Sequence, residues 1–248
     1  MWTWFHKLAS PPHFFRISEK MVPWFGISGL LMITWGTWHG LFVAPPDYQQ
    51  GDAFRIIYVH VPSAYLSMAA YMTMALAAGI GLIWRIKLSH AVAAAAAPIG
   101  AWFTFLALAT GMIWGRPMWG TWWEWGDPRL TSELLMLFLY FGYMALRAAI
   151  SDVKKADNAS GVLAVVGAVN IPIIHYSVEW WSSLHQGATL IRADGPAMPP
   201  EMLTPLLFNI AGFTLLFGAL LLIRVRTGVI YREHRKMWVR NLILKGGF

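Results

Sequence analysis

The chain has 248 residues, of which 57% are hydrophobic and only 12% charged, with no cysteine and a formal net charge of +7. Its mean hydropathy of +0.51 is too high for a soluble domain of this size, and the apolar residues fall in blocks about 20 long, the length that crosses a bilayer as a helix. The absence of cysteine excludes thiolate ligands, disulfides and covalent heme attachment through CxxCH in this chain. No GxxxxGK[ST] phosphate loop is present, so an ATP-driven step belongs to another subunit.

The composition predicts an all-α polytopic membrane protein, a single domain over 1–248 with six transmembrane helices. In chain order the spans are Met21 to Val43, Ile56 to Ile83, Ala93 to Ile113, Leu130 to Leu146, Gly161 to Glu179 and Pro205 to Ile223. The segment before the first span carries Lys7, Arg16, Glu19 and Lys20 without an apolar core, unlike a cleaved signal peptide. Trp2, Trp4, Phe5, Phe14 and Phe15 suit an interfacial position there.

Fifteen of the nineteen basic residues fall before the first span or after the second, fourth and sixth, including the basic tail over 224–248. Only Arg55, Arg116, Arg129 and Arg192 fall on the other side, which predicts cytoplasmic termini. The net positive charge is then explained by cytoplasmic loops beside anionic lipid, with no nucleic-acid partner required.

Between the third and fourth spans, WGRPMWGTWWEWGDPRL from Trp114 to Leu130 holds Trp114, Trp119, Trp122, Trp123 and Trp125 within twelve residues. Indole rings at this density suit either an interfacial belt or a platform for a flat conjugated ligand. On the same side lie His39, His60, His175 and His185. His60 falls early in the second span, where Pro62 marks the entry, and His185 falls just beyond the fifth. Two histidines from separate segments at one depth are able to supply both axial nitrogens of a heme iron, although an isolated histidine at a helix end is more often a hydrogen-bonded interfacial residue. His175 and Glu179 share a helix face and are spaced to pair, while Asn170 and Pro172 suggest a local helix break. Asp127, followed by Pro128, reads equally as a helix cap and as a site residue.

WGTWWEWGDPRLTSELLMLFLY from Trp119 to Tyr140 resembles the tryptophan-rich (WWD) signature of the heme-handling proteins. RIIYVHVPSA from Arg55 to Ala64 and NIPIIHYSVEWWSSLHQG from Asn170 to Gly187 are similar to its cytochrome c maturation protein C branch, the heme exporter subunit. The likeness extends over nearly the whole chain, with one departure: Gly126 stands between Trp125 and Asp127, where the family runs Trp-x-Trp-Asp.

The resemblance implies non-covalent heme b held at a periplasmic site of the bacterial inner membrane. It implies axial ligation by His60 and His185 and stacking on the tryptophan segment. Heme then passes to the chaperone cytochrome c maturation protein E (CcmE), within an assembly of the ABC subunits CcmA and CcmB and the small membrane subunit CcmD. Arg55 and Arg129, the outward arginines inside the matching motifs, are the expected partners of the propionates. No independent enzymatic activity is expected. The competing readings are an electron-transfer subunit carrying b-type heme and a permease whose tryptophans only anchor it.

Overall fold

The computed structural model describes residues 10–185, 187, 190 and 195–244. Trp2, Trp4, Phe5, Lys7, Arg192 and Lys245, singled out from the sequence, lie outside the described residues. The described residues form helices α1 (Pro11–Phe42), α2 (Ile57–Trp84), α3 (Lys87–Trp119), α4 (Pro128–Ala149), α5 (Val153–Gly167), α6 (Asn170–Trp180), α7 (Pro200–Glu233) and α8 (Met237–Leu244). A 3-10 turn, Asp52–Ile56, leads directly into α2. Five segments are long and apolar enough to cross a membrane: Asp52–Trp84, Lys87–Trp119, Pro128–Ala149, Val153–Trp180 and Pro200–Glu233. The expected first span lies inside α1, a 32-residue helix that does not meet the same measure.

α1 nonetheless packs along α7 through small residues. A Cβ on Gly29 would come within 2.9 Å of the Gly212 carbonyl, and one on Gly212 within 2.9 Å of the Gly29 carbonyl. Such close backbone approach is how helices associate where no hydrophobic driving force separates them from lipid. The opposite side of α1 exposes Trp24, Ile27, Leu30 and Leu31.

Three places along the helices are informative against the sequence expectation. α2 starts at Ile57, one residue from the expected Ile56, and Pro62 lies inside its early turns. A proline there frees the carbonyl four residues back, and that carbonyl, on Tyr58, accepts from Asn209 Nδ2 of α7 at 2.8 Å. Asn209 is fully buried. Asn209→Leu should leave the Tyr58 carbonyl unsatisfied and cost on the order of 1–3 kcal/mol, read as a lower thermal midpoint in detergent.

α3 continues past Ile113 to Trp119, so Trp114 and Trp119 are helical rather than part of the loop. It stops where Gly120 takes a left-handed conformation (φ 77°), which glycine alone adopts without strain. The fifth span is broken, as Asn170 and Pro172 suggested. α5 ends at Gly167, two residues in tight turns follow, and α6 resumes at Asn170. Asn170 does not repair its own helix. Its Nδ2 donates to the Ser132 carbonyl of α4 at 2.9 Å and so ties α6 to α4.

At the bundle end opposite Asp127, Asp157 of α5 is buried and accepts both Arg147 of α4 and, at 2.8 Å through each oxygen, Arg232 of α7. Arg226 donates to the Phe15 carbonyl at 2.6 Å and lies 3.7 Å over the Phe15 ring. Part of the basic excess at this end therefore holds helices together. The tail expected from 224 onward is helical for most of its length, in the end of α7 and in α8.

Candidate functional site

A cavity of about 500 Å³ opens near the Asp127 end, between α2, α3, α4, α6 and the loop after α6. Its lining includes His60, Trp114, Trp119, Arg129, Glu133, His175 and His185. The volume falls within the range of small-molecule and cofactor pockets.

His60 projects from the second turn of α2. Its ring clears α3 because Gly111 is there: a Cβ on Gly111 would stand 3.2 Å from His60 Cε1. His60 Nδ1 lies 3.0 Å from the Thr110 hydroxyl oxygen. Thr110 has one proton to give, and the Leu106 carbonyl takes it at 2.6 Å. The Thr110 oxygen is therefore the acceptor and His60 Nδ1 the donor, which fixes the tautomer and leaves the Nε2 lone pair unused. Trp114 meets the His60 ring edge to face, with centroids 5.6 Å apart, and is itself held by Nε1 donating to Gln50 Oε1 at 3.0 Å.

His185 is positioned by Asp127. Asp127 caps α4, its Oδ1 accepting the backbone amides of Arg129 and Leu130, each at 3.0 Å. Its Oδ2 reaches across to the loop after α6, accepting the Ser183 hydroxyl at 2.7 Å and the Leu184 amide at 2.8 Å. Ser183 Oγ in turn accepts the His185 amide at 3.1 Å. His185 Nδ1 is buried and faces Asp127 Oδ1 at 3.7 Å, and the ring lies against Trp119 with centroids 4.9 Å apart. Burial opposes ionisation of Asp127, but the neighbouring His185 ring, the Leu130 amide, the Ser183 hydroxyl and the Leu184 amide outweigh it and hold the carboxyl well below its usual range. Of the two readings the sequence offered, the structure bears out the cap; Asp127 does not line the cavity but also ties the loop carrying His185 to the start of α4.

Two histidines far apart in sequence, each flanked by a tryptophan and each with Nδ1 turned away toward a supporting group, thus line one cavity. A model of the family described as "Heme exporter protein C" matches residues 4–240. The chain belongs to the heme exporter protein C family. It is 51% identical to heme exporter protein C of Escherichia coli K12 over 100% of this chain and 99% of that one. It is 48% identical to the Haemophilus influenzae protein of the same name over 98% of each chain, and 45% identical to that of Bradyrhizobium diazoefficiens over 93% of this chain and 87% of that one.

The other residues picked from the family motifs are placed differently. Trp122 and Trp125 do not line the cavity and are 53% and 73% exposed. Trp123 packs against the core and edge to face on Trp125, with centroids 5.4 Å apart. The Gly126 insertion is absorbed by a turn in which Glu124 Oε1 accepts the Gly126 amide at 3.2 Å and the Glu124 carbonyl accepts the Asp127 amide at 3.1 Å.

Arg129 lines the cavity, but Arg55 does not. The Arg55 guanidinium donates to the carbonyls of Gly40 and Ala44, at 2.8 and 2.9 Å, and to Asp52 at 2.9 Å, fastening the end of α1 to the turn before α2. His175 borders the cavity and packs edge to face on Tyr176. Among the described residues no hydrogen bond or ion pair joins His175 to Glu179.

Sequence reading missed Thr110, Gln50, Ser183 and Glu133. The first three act through neighbours and carry no signature of their own. Glu133 did carry one, an ionisable residue within an apolar span, which by itself marks a candidate functional position.

Proposed function

We propose that this chain holds heme b non-covalently in the cavity, with His60 and His185 as axial ligands, and presents it to CcmE. The observation that carries this reading is the convergence of the two histidines on one cavity, with His60 Nδ1 committed to Thr110 and His185 Nδ1 facing Asp127. A bare metal ion needs three or four protein ligands, whereas heme iron already has four from its macrocycle and needs only two. Among the described residues no cluster of three or more His, Asp or Glu side chains forms a metal cage. Trp114 and Trp119 flank the two rings, Arg129 is the cation within the cavity for a propionate, and the exposed Trp122 and Trp125 extend the aromatic surface outward, with Trp123 behind them. Arg55 contributes by fixing the cavity rim, and a propionate reaching it competes with the two carbonyls it now serves.

In this reading α1 is a sixth span, packed on α7 and exposing tryptophan and aliphatic side chains to lipid. The termini are cytoplasmic and the Trp-rich segment and heme site periplasmic, in the bacterial inner membrane. CcmA and CcmB supply the nucleotide-driven step, and CcmD completes the assembly. Alkaline phosphatase fused after Trp123 should be active in the periplasm, and a fusion at Lys155 inactive; activity at Lys155 would reverse the orientation.

The direct test is the absorption spectrum of the purified protein, where bis-histidine heme gives a low-spin Soret and α/β pattern and a permease without heme gives none. Thr110→Val removes the acceptor for His60 Nδ1, frees the ring and its tautomer, and should weaken heme affinity roughly 10- to 100-fold, as loss of a ligand's supporting partner generally does.

A further inference from the structure

Holding Trp114 uses only half of the Gln50 side chain. The indole Nε1 has a proton and no acceptor site, so the Gln50 atom 3.0 Å from it is the amide oxygen. The hydrogen-bond network thereby fixes which way round the amide stands. Its nitrogen carries two protons, and among the described residues neither is given to an acceptor. The side chain is half-buried and lines the cavity, which provides the cavity wall with two uncommitted donors.

The segment that carries Gln50 is wound tightly. Asp47 Oδ1 accepts the backbone amides of Gln49 and Gln50 at 2.9 and 2.8 Å, a side chain closing a turn on its own backbone. Asp47 and Gly51 exchange backbone hydrogen bonds at 3.3 and 2.9 Å, and Gly51 has φ 55°, which glycine adopts without strain. Arg55 ties the following 3-10 turn to the end of α1. Gln50 is therefore presented by a braced loop, and its carbonyl is linked through Trp114 to the ring of His60.

These donors match a need that the heme reading leaves open. Heme b has two propionates. Arg129 lines the cavity as a cation for one of them, whereas Arg55 is occupied by the Gly40 and Ala44 carbonyls. A carboxylate taken from water without a partner is costly, and the free end of the Gln50 amide is a partner that breaks no existing hydrogen bond when it is used. We propose that Gln50 is a binding residue for a carboxylate of the ligand, its amide nitrogen donating to a heme propionate while its carbonyl keeps Trp114 beside His60. This inference rests on the heme reading above.

Substitution separates the two ends of the side chain. Gln50→Glu keeps an oxygen for the Trp114 indole and exchanges both donors for a second oxygen, whereas Gln50→Met has neither acceptor nor donor. The experiment is an absorbance titration of the purified protein in nanodiscs at neutral pH, with ferric heme b and with its dimethyl ester, in which both carboxylates are capped. Wild type should bind heme b at least about tenfold more tightly than the ester, the scale of one hydrogen bond to a charged acceptor. In Gln50→Glu that preference should shrink about tenfold by the same measure, with affinity for the ester unchanged because Trp114 keeps its acceptor. Gln50→Met should narrow the preference as well and also weaken binding of both porphyrins. A wild type without preference for heme b overturns the inference even if a variant fails to fold. A preference that survives in either folded variant, the result expected if Gln50 only braces Trp114, overturns it too. Wild type that binds neither porphyrin overturns the heme reading itself.

Discussion

The double variant His60→Ala, His185→Ala is expected to lose the low-spin heme spectrum entirely while the protein remains in the membrane at wild-type levels. Each single variant should leave one axial nitrogen, giving a five-coordinate or water-completed iron with a shifted Soret band and lower retention through detergent washes. The two should not be equivalent. His60 stands on a helix with its Nδ1 proton already donated, so its removal takes the donor from the Thr110 oxygen, whose own proton stays on the Leu106 carbonyl. His185 stands on a loop, and its removal takes away a ring that packs on Trp119. Reconstituted heme titrations on both single variants read the difference. A wild-type low-spin spectrum in the double variant would end the bis-histidine proposal.

Asp127→Ala is the second large effect. It removes an N-cap, worth about 1 kcal/mol, and strands the part-buried Ser183 hydroxyl and Leu184 amide, whose hydrogen bonds to a charged acceptor, at about 1.5–3 kcal/mol, are the greater loss. Heme affinity should fall together with the thermal midpoint, because the loop that presents His185 loses its anchor. Asp127→Asn keeps an acceptor oxygen without the charge and should fall between. The pH dependence follows from the depressed carboxyl. With the folded group titrating below its unfolded value near 4, its stabilisation is fully present above that value and is lost as pH falls through it toward the lower folded one. The difference in thermal midpoint between wild type and Asp127→Asn should therefore hold steady from about pH 7 to 5 and shrink below about 4. A difference that grows with acidification would contradict this account.

Hydropathy alone locates five of the helices, because each apolar block must satisfy its backbone internally. It misplaces ends. α3 runs on through Pro117 because the terminating signal is the left-handed Gly120, and α7 runs on through Arg224, Arg226 and Arg232 because Asp157 and the Phe15 carbonyl neutralise or bind two of those three arginines. α1 is the least legible, its apolar side chains interspersed with the glycines that let it lie against α7.

The site divides in the same way. The motifs point to His60, His185, Trp114 and Trp119 by residue type, and all four line the cavity. The roles of Arg55 and Asn209, and the hold of Asp127 on the loop after α6 beyond its expected helix cap, were not legible, because they depend on which carbonyl or amide of a distant segment comes within hydrogen-bond reach. Sequence proximity to a motif pointed Arg55 at a propionate; the three-dimensional path puts its guanidinium on the end of α1.

The two candidate ligands are mounted unequally. His60 rides on a helix that is braced by α3 through Thr110 and by α7 through Asn209. Described polar ties from His185 and the two residues before it to the bundle converge on a single carboxylate, that of Asp127. In the proposed heme complex, grip and release are then mechanically separable: displacing one loop by the length of a hydrogen bond would open one face of the macrocycle, while the opposite face would stay fastened to a rigid post.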